Sequence, residues 1–329
     1  MRLLKYSVAG RMTYFNSLLG EGVGGTFEAS PNVYTVEQRA QLGGLIRLLR
    51  PLNFVMFFAG VALGGLLAVG LDAFAAENLP RMLLAMASAG LIGGGANAIN
   101  DVYDLDIDLV NRPERPLPSG AASPETARRL WLGLTILGVA IGWFISPVHG
   151  LVAAGAAVLL WAYSARLKRT PGWGNLAVAV VLGLAIFYGG LVPASGNLVA
   201  VLIGALFAFF TTLAREGAKD IEDMEGDARF GARTLPLVWG VRPAARWVLA
   251  VIFLTLLALP VLAVAGFGVA FLAFAIPVAC SLLASGWALL LAGVSGTAEA
   301  WHRGAGTAST WLKVAMVSGI LALSLARIG

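Results

Sequence analysis

The sequence predicts an all-α integral membrane protein, with about nine transmembrane helices in two parallel four-helix repeats plus one, around a central cavity. Three observations carry this. From Leu52 onward, apolar runs of about 18–25 residues recur, each long enough to cross the hydrocarbon core of a bilayer. Charged residues make up 12% of the chain and mean hydropathy is +0.82, whereas a soluble domain carries roughly 25% charged residues. An acidic motif near residue 100 returns near residue 220 in the same register.

The runs are 52–71, 82–100, 130–146, 148–165, 174–194, 197–216, 244–265, 267–293 and 309–327. Ser146-Pro147 divides the third from the fourth as a hairpin turn. Residues 1–46 are Gly-rich and mixed in character, without a spanning run or a convincing signal-peptide pattern. They are read as an N-terminal cytoplasmic arm, disordered or lying at the interface. Cys280 is alone, so no intrachain disulfide forms. His149 and His302 lie far apart in loop-like contexts, without Cys or His at metal-ligand spacing, which argues against zinc.

Lys and Arg gather in alternate connections. Arg47 and Arg50 precede the first run. Arg112, Arg115, Arg128 and Arg129 follow the second, Arg166, Lys168 and Arg169 the fourth, and Arg215, Lys219, Arg229 and Arg233 the sixth. By the positive-inside rule the N-terminus and both acidic motifs are expected in the cytoplasm, and the C-terminus outside. The net charge of +5 then reflects topology and phosphate binding, not nucleic acid. Four crossings separate the second run from the sixth, so the two halves are expected to run parallel.

The first motif is NAINDVYDLDIDLVNRPERPLPSG, residues 97–120. At about 100° per residue, Asn97, Asp101, Asp104 and Asp108 fall within about 60° of arc on a helix, with Asn100 beside it and Asp106 pointing away. Like charges on one face persist only if a cation neutralises them or water screens them. The second motif, EGAKDIEDMEGDARFGARTLP at 216–236, repeats the acids as Asp220, Asp223 and Asp227; Glu216 stands for Asn97 and Lys219 for Asn100, while Glu222 and Glu225 fall off the arc. Ten of the chain's 18 acidic residues lie in 101–108 and 216–227, which random placement does not give.

Carboxylates, water and phosphate oxygens are the usual ligands of Mg²⁺. Two facing acidic clusters with bases around them suit a diphosphate held through bridging metals, above a cavity walled by apolar helices. The implied substrate is a lipid with a diphosphate head.

Asn100-Asp101-x-x-Asp104-x-x-x-Asp108 followed by RPERPLPSG, with the later Asp223-x-x-x-Asp227, resembles the UbiA superfamily of intramembrane prenyltransferases over about residues 45–327. YSARLK at 163–168 and Gly174-Asn175 are similar to that family's loop between the fourth and fifth helices. The resemblance implies a transmembrane prenyltransferase domain at 47–329 and Mg²⁺-dependent transfer of an isoprenyl group from its diphosphate. Asn100, Asp104, Asp108, Asp223 and Asp227 would hold metal and diphosphate. Lys168, Arg112, Arg115 and Lys219 would bind the substrate, with Arg50 and Asn53 in a further family-like stretch. Asp101 and Asp220 would either ligate or support the ligands. Trp161, Tyr163, Phe187 and Tyr188 are candidates for a prenyl tunnel or for interfacial anchors.

The second motif with GARTLP is most similar to the geranylgeranylglycerol-phosphate geranylgeranyltransferases of the superfamily. The expected acceptor is therefore geranylgeranylglyceryl phosphate, with an aromatic or tetrapyrrole acceptor as the alternative. Spare bases for a lipid phosphate, and no histidine near either acidic motif to act as base for a phenol, favour the lipid. A cation-coupled transporter is the alternative from another class, but its acids are usually sparse and near the midplane. The Asp-Gly-x-x-Ala-Arg element of CDP-alcohol phosphotransferases is absent.

Overall fold

Polar side chains fix where the helices begin. Ser123, Ser146 and Asn197 accept from the backbone N–H of Thr126, His149 and Ala200 at 3.0, 3.3 and 2.9 Å, and Pro124 and Pro147 follow the two serines with φ already set. The structure is a computed structural model and describes residues 5–6, 11–13, 26–28, 43–229, 231–262 and 270–328. Among these, nine helices are long and apolar enough to cross a membrane.

Three short N-terminal strands, β1 (Lys5–Tyr6), β2 (Arg11–Thr13) and β3 (Thr26–Glu28), pair antiparallel in that order. Helix α1 covers residues 43–49, so the division expected at 46/47 falls inside it. Then follow α2 (Pro51–Val69), α3 (Leu79–Tyr103), α4 (Leu105–Asn111), α5 (Pro124–Ile145), α6 (Pro147–Ala165) and α7 (Trp173–Gly190). The chain continues through α8 (Leu198–Glu222), α9 (Met224–Arg229), α10 (Leu235–Trp239), α11 (Val241–Leu262), α12 (Ala270–Ser295) and α13 (Ala298–Ile328).

The spans match the expected runs with two informative shifts. α5 starts six residues early, because Arg128 and Arg129, read as loop, lie in its first turns, where Arg129 pairs with Glu125. α13 starts eleven residues early. Thr297 caps it by accepting from Ala300 N at 3.2 Å, and Glu299 pairs with Arg303 at 3.0 Å, one turn on. Hydropathy registers these charges as loop, although local pairing makes them helix.

α2 packs on α3, α3 on α5 and α5 on α6; the second half has α7 on α8, α8 on α11 and α11 on α12. The halves differ in that α3 also packs on α6, whereas α8 packs on α13. One buried cluster joins α2, α7, α8, α11, α12 and α13 around Leu67, Val248, Leu282 and Leu312. Another joins α2, α3, α5, α6 and α7 around Val61, Met82 and Tyr188. Large apolar side chains such as Phe144, Phe253 and Val294 remain exposed; on a spanning helix that surface faces lipid. α13 closes onto α2: Arg327 donates to the carbonyls of Leu67 and Ala68 at 3.0 and 3.1 Å.

α2 and α7 cross at backbone contact. A Cβ on Gly64 would sit 1.9 Å from the Ile186 carbonyl oxygen, and one on Gly189 1.8 Å from that of Val61. Backbone atoms cannot rotate aside as a side chain does. Gly189→Ala is therefore expected to lower stability by about 1–3 kcal/mol, read as an earlier thermal transition of the detergent-solubilised protein. Gly133→Ala, with nothing within 4 Å of the added carbon, should leave the transition in place.

Candidate active site

Both acidic helices break at the same motif position. α3 ends at Tyr103 and α4 begins at Leu105, with Asp104 between them at φ −96°, ψ 0°. α8 ends at Glu222 and α9 begins at Met224, with Asp223 at φ −88°, ψ 0°. The hydrogen bonds spanning each break persist: Asp104 N to Asn100 O and Asp108 N to Asp104 O at 3.0 and 2.8 Å, Asp223 N to Lys219 O and Asp227 N to Asp223 O at 2.8 and 2.9 Å. The backbone turns without unravelling, and the last acid-bearing turn of each motif is re-aimed.

The first motif is neutralised by side-chain cations. Asp101, buried, pairs with Arg50 and lies 3.7 Å from Arg115. Arg50 has φ 50°, the one positive φ outside glycine among the described residues. A non-glycine residue in that region costs about 1 kcal/mol or more, and here it places the guanidinium against Asp101. Asp108, also buried, pairs with Arg115 at 2.6 Å. Lys168 donates to Asp104 Oδ1 at 2.6 Å and to Asn100 Oδ1 at 3.0 Å, while Asn100 Nδ2 donates to Asp104 Oδ2 at 2.9 Å. Burial pulls the Lys168 ammonium below the ordinary lysine value and Asp104 opposes the shift. Asn97 donates to the Leu49 carbonyl at 3.1 Å. Leu48 of α1 packs with Leu117 and Ala127, anchoring the Arg112–Gly120 loop.

The second motif is more open. Asp223 keeps 56% side-chain exposure and lies 4.0 Å from Lys219 Nζ. Burial, and then the charge of Asp223, push Asp227 above the ordinary carboxylate range. Asp220 accepts from Asn175 at 2.8 Å. Asp101 and Asp220 thus do the same work in their motifs: each ties its helix to the start of the helix before it, Arg50 ahead of α2 and Asn175 in α7.

A cavity of about 660 Å³ lies between the two motifs. Its lining includes Asp104, Ile107, Asn111 and Arg112 on one side and Glu222, Asp223, Glu225, Asp227 and Arg229 on another, with Tyr163, Lys168, Arg169 and His302 between them. Of the expected site residues, Asp104, Asp223, Asp227, Arg112 and Lys168 face this space, and Asn100 is one hydrogen bond behind. Asp108, Arg115 and Lys219 do not line it. Asn53 lies outside the described side chains. Among the expected tunnel residues, Tyr163 reaches the cavity, Trp161 is exposed and Phe187 packs against the core. Tyr188 is buried and donates to Ser88 at 2.9 Å beside a small apolar cavity of about 40 Å³ toward the middle of the bundle.

Two expectations are corrected. Glu222 and Glu225, expected off the arc, both lie on the cavity lining: Glu222 is the last residue of α8, ahead of the break, and Glu225 lies in α9 beyond it, where it pairs with Arg229. A histidine does stand by an acidic motif: the early start of α13 brings His302 to the cavity, where its Nδ1 lies 2.8 Å from the Glu222 carbonyl oxygen. The N-terminal signals Thr297 and Glu299 were the clue to that helix.

The donor set suits a hard divalent cation that arrives with phosphate. Every unpaired acceptor the two motifs offer the cavity is oxygen, and Asp223, half exposed, has Lys219 no nearer than 4.0 Å. No three His, Cys, Asp or Glu among the described residues form a ready-made cage, as expected for Mg²⁺, which completes its shell with water and substrate oxygens.

The sequence pattern of the UbiA prenyltransferase family matches residues 53–323. The chain belongs to this family. Curated relatives include digeranylgeranylglyceryl phosphate synthases of Methanopyrus kandleri, 39% identical over 84% of this chain and 96% of the relative, and of Saccharolobus solfataricus, 36% identical over 81% and 92%. A solved structure concerning digeranylgeranylglyceryl phosphate synthase in membranes superposes with TM-score 0.74 at 27% identity, over 88% of this chain and 99% of that one. A UbiA homologue from Archaeoglobus fulgidus, bound to DMAPP and Mg²⁺, superposes with TM-score 0.63 at 18% identity, over 83% and 99%, and shares the fold. This member of the family is thus a multi-pass membrane prenyltransferase.

Asp104→Asn or Asp223→Asn should cut prenyl transfer by at least about 100-fold, since each removes a carboxylate facing the cavity. Membrane insertion should be unchanged. Asp106→Asn, an exposed position outside the lining, should stay near wild type; equal losses at Asp104 and Asp106 would contradict the site.

Proposed function

We propose that this chain transfers a geranylgeranyl group from its diphosphate to the free hydroxyl of geranylgeranylglyceryl phosphate, forming an ether and releasing diphosphate, with Mg²⁺ as cofactor. The observation that carries this reading is the single cavity lined by Asp104 and Lys168 from one side and by Asp223 and Asp227 from another. The acceptor is inferred from the curated relatives, matched over nearly their whole length. The metal is inferred from the oxygen donor set and from the Archaeoglobus fulgidus homologue.

The residues divide the work. Asp104, Asp223 and Asp227 hold the Mg²⁺–diphosphate head, with Asp108 and Asn100 as the nearest supports. When bound, Mg²⁺ offsets charge on the departing diphosphate. Lys168, kept cationic by Asp104, and Arg112 supply fixed positive charge where the leaving group develops its negative charge. Asp101 and Asp220 hold the two breaks in register. Arg115 acts from behind the wall by neutralising Asp108 and Asp101, and Lys219 flanks Asp223. The apolar helices beneath keep water from the allylic carbon.

The cavity end of the bundle is assigned to the cytoplasmic face of the cell membrane from the Lys and Arg distribution, with 1–46 as a cytoplasmic arm ahead of the membrane domain. The duplicated break supports descent of the halves from parallel repeats.

The purified enzyme, given geranylgeranyl diphosphate, geranylgeranylglyceryl phosphate and Mg²⁺, should yield the diether, and chelating Mg²⁺ should stop it. An inert mixture under conditions where homogentisate, 4-hydroxybenzoate or a chlorophyllide is prenylated would replace the acceptor. Single cysteines at Ser119 and Ser195, in a background lacking Cys280, should label from opposite sides of the membrane. Labelling of both from outside an intact cell would reverse the orientation.

A further inference from the structure

Ether formation needs a proton acceptor. When the allylic C–O bond breaks, its electron pair leaves with diphosphate. When the acceptor's hydroxyl oxygen then bonds to that carbon, its proton must go elsewhere. Most acidic groups around the cavity have other partners. Asp104 is paired with Lys168 and Glu225 with Arg229, at 2.6 Å each, and Asp223 and Asp227 belong to the diphosphate side. Glu222 is the remaining carboxylate of the lining.

His302 stands on a different helix from both motifs, exposed on the cavity lining. Its Nδ1 faces the Glu222 carbonyl oxygen at 2.8 Å. A carbonyl oxygen only accepts, so Nδ1 carries the proton, and the neutral ring must present Nε2 as an unprotonated lone pair. Nε2 has no hydrogen-bond partner among the described residues. The same contact holds the ring at the end of α8, beside the break at Asp223. Tautomer and position are therefore set by one hydrogen bond to the backbone, independent of any acidic side chain.

We propose that His302 is the catalytic base on the acceptor side: Nε2 takes the hydroxyl proton of the glyceryl phosphate lipid as its oxygen bonds to the allylic carbon, and the imidazolium returns the proton to water after release. This rests on the function proposed above.

Three variants separate the roles. His302→Asn keeps an N–H near the place of Nδ1, for the Glu222 carbonyl, and removes the basic nitrogen. His302→Gln puts a non-basic amide near the place of Nε2. Glu222→Gln removes the competing carboxylate. Each is assayed as full-length purified enzyme with geranylgeranyl diphosphate, geranylgeranylglyceryl phosphate and Mg²⁺, and donor affinity is measured with the unreactive thiolo analogue of the donor.

His302→Asn and His302→Gln should lose about 100-fold in kcat, the usual scale of general base catalysis, with donor affinity unchanged. Added imidazole should restore part of the rate to His302→Asn, which a merely structural histidine would not allow. Glu222→Gln should stay within about threefold of wild type. The proposal is overturned if His302→Asn turns over like wild type, if its loss is not rescued by imidazole, if donor affinity falls in step with rate, or if Glu222→Gln is the variant that fails. In each of these cases wild type still makes the ether. A wild-type enzyme that makes no ether overturns the function proposed above, and this proposal with it.

Discussion

Charge pairing at the end of a greasy bundle is the constraint on which the site depends. Asp101 and Asp108 are almost fully withdrawn from solvent, and an unpaired carboxylate in such a place costs several kcal/mol. Arg50 and Arg115 meet that demand from two other segments, the turn before α2 and the loop after α4. Lys168 meets it for Asp104 from the segment between α6 and α7. Neutralising the first motif therefore also draws three separate connections to one place. The second motif lacks such complete pairing: Asp223 is half exposed and Asp227 is held protonated to higher pH than usual. One wall is self-neutralised and the other short of positive charge, an asymmetry that leaves the second wall as the more available one for an incoming cation.

The two breaks convert a linear motif into a cavity lining. On an unbroken helix the acids would form one stripe running along its axis. A single residue at ψ near 0° in each helix changes the direction of the following turn while keeping the flanking hydrogen bonds. Glu225 reaches the lining after the second break, whereas Asp106, at the equivalent place after the first, stays outside it.

Much of this was legible in the sequence because it follows from one-dimensional rules. Spans of apolar residues, Ser-Pro starts and the repeat of Asp101, Asp104 and Asp108 as Asp220, Asp223 and Asp227 require only local composition and spacing. What was hidden depends on which side chains meet once the helices break and pack. Nothing in the wording of residues 97–120 says that Arg115 is consumed by Asp108 whereas Arg112 is left facing the cavity. His302 was missed for a related reason. Its helix rises past the apolar run on the strength of an end cap and one ion pair, and a hydropathy window weighs those charges as loop. The sequence argument that used the lack of a nearby histidine to choose the acceptor fails on that ground, while the choice itself draws support from the curated relatives.

The bond from Arg327 to the carbonyls of Leu67 and Ala68 bears on how the molecule is made. Its partners are about 260 residues apart in the chain, so the contact cannot form until that length has been added after α2. At the usual 5–20 residues per second, α2 waits on the order of ten to fifty seconds for the helix that closes against it. Throughout that interval the backbone carbonyls at the end of α2 lack these partners. Closure of α13 onto α2 is a late event set by translation, and until α13 arrives the end of α2 is open to pairing with other membrane segments.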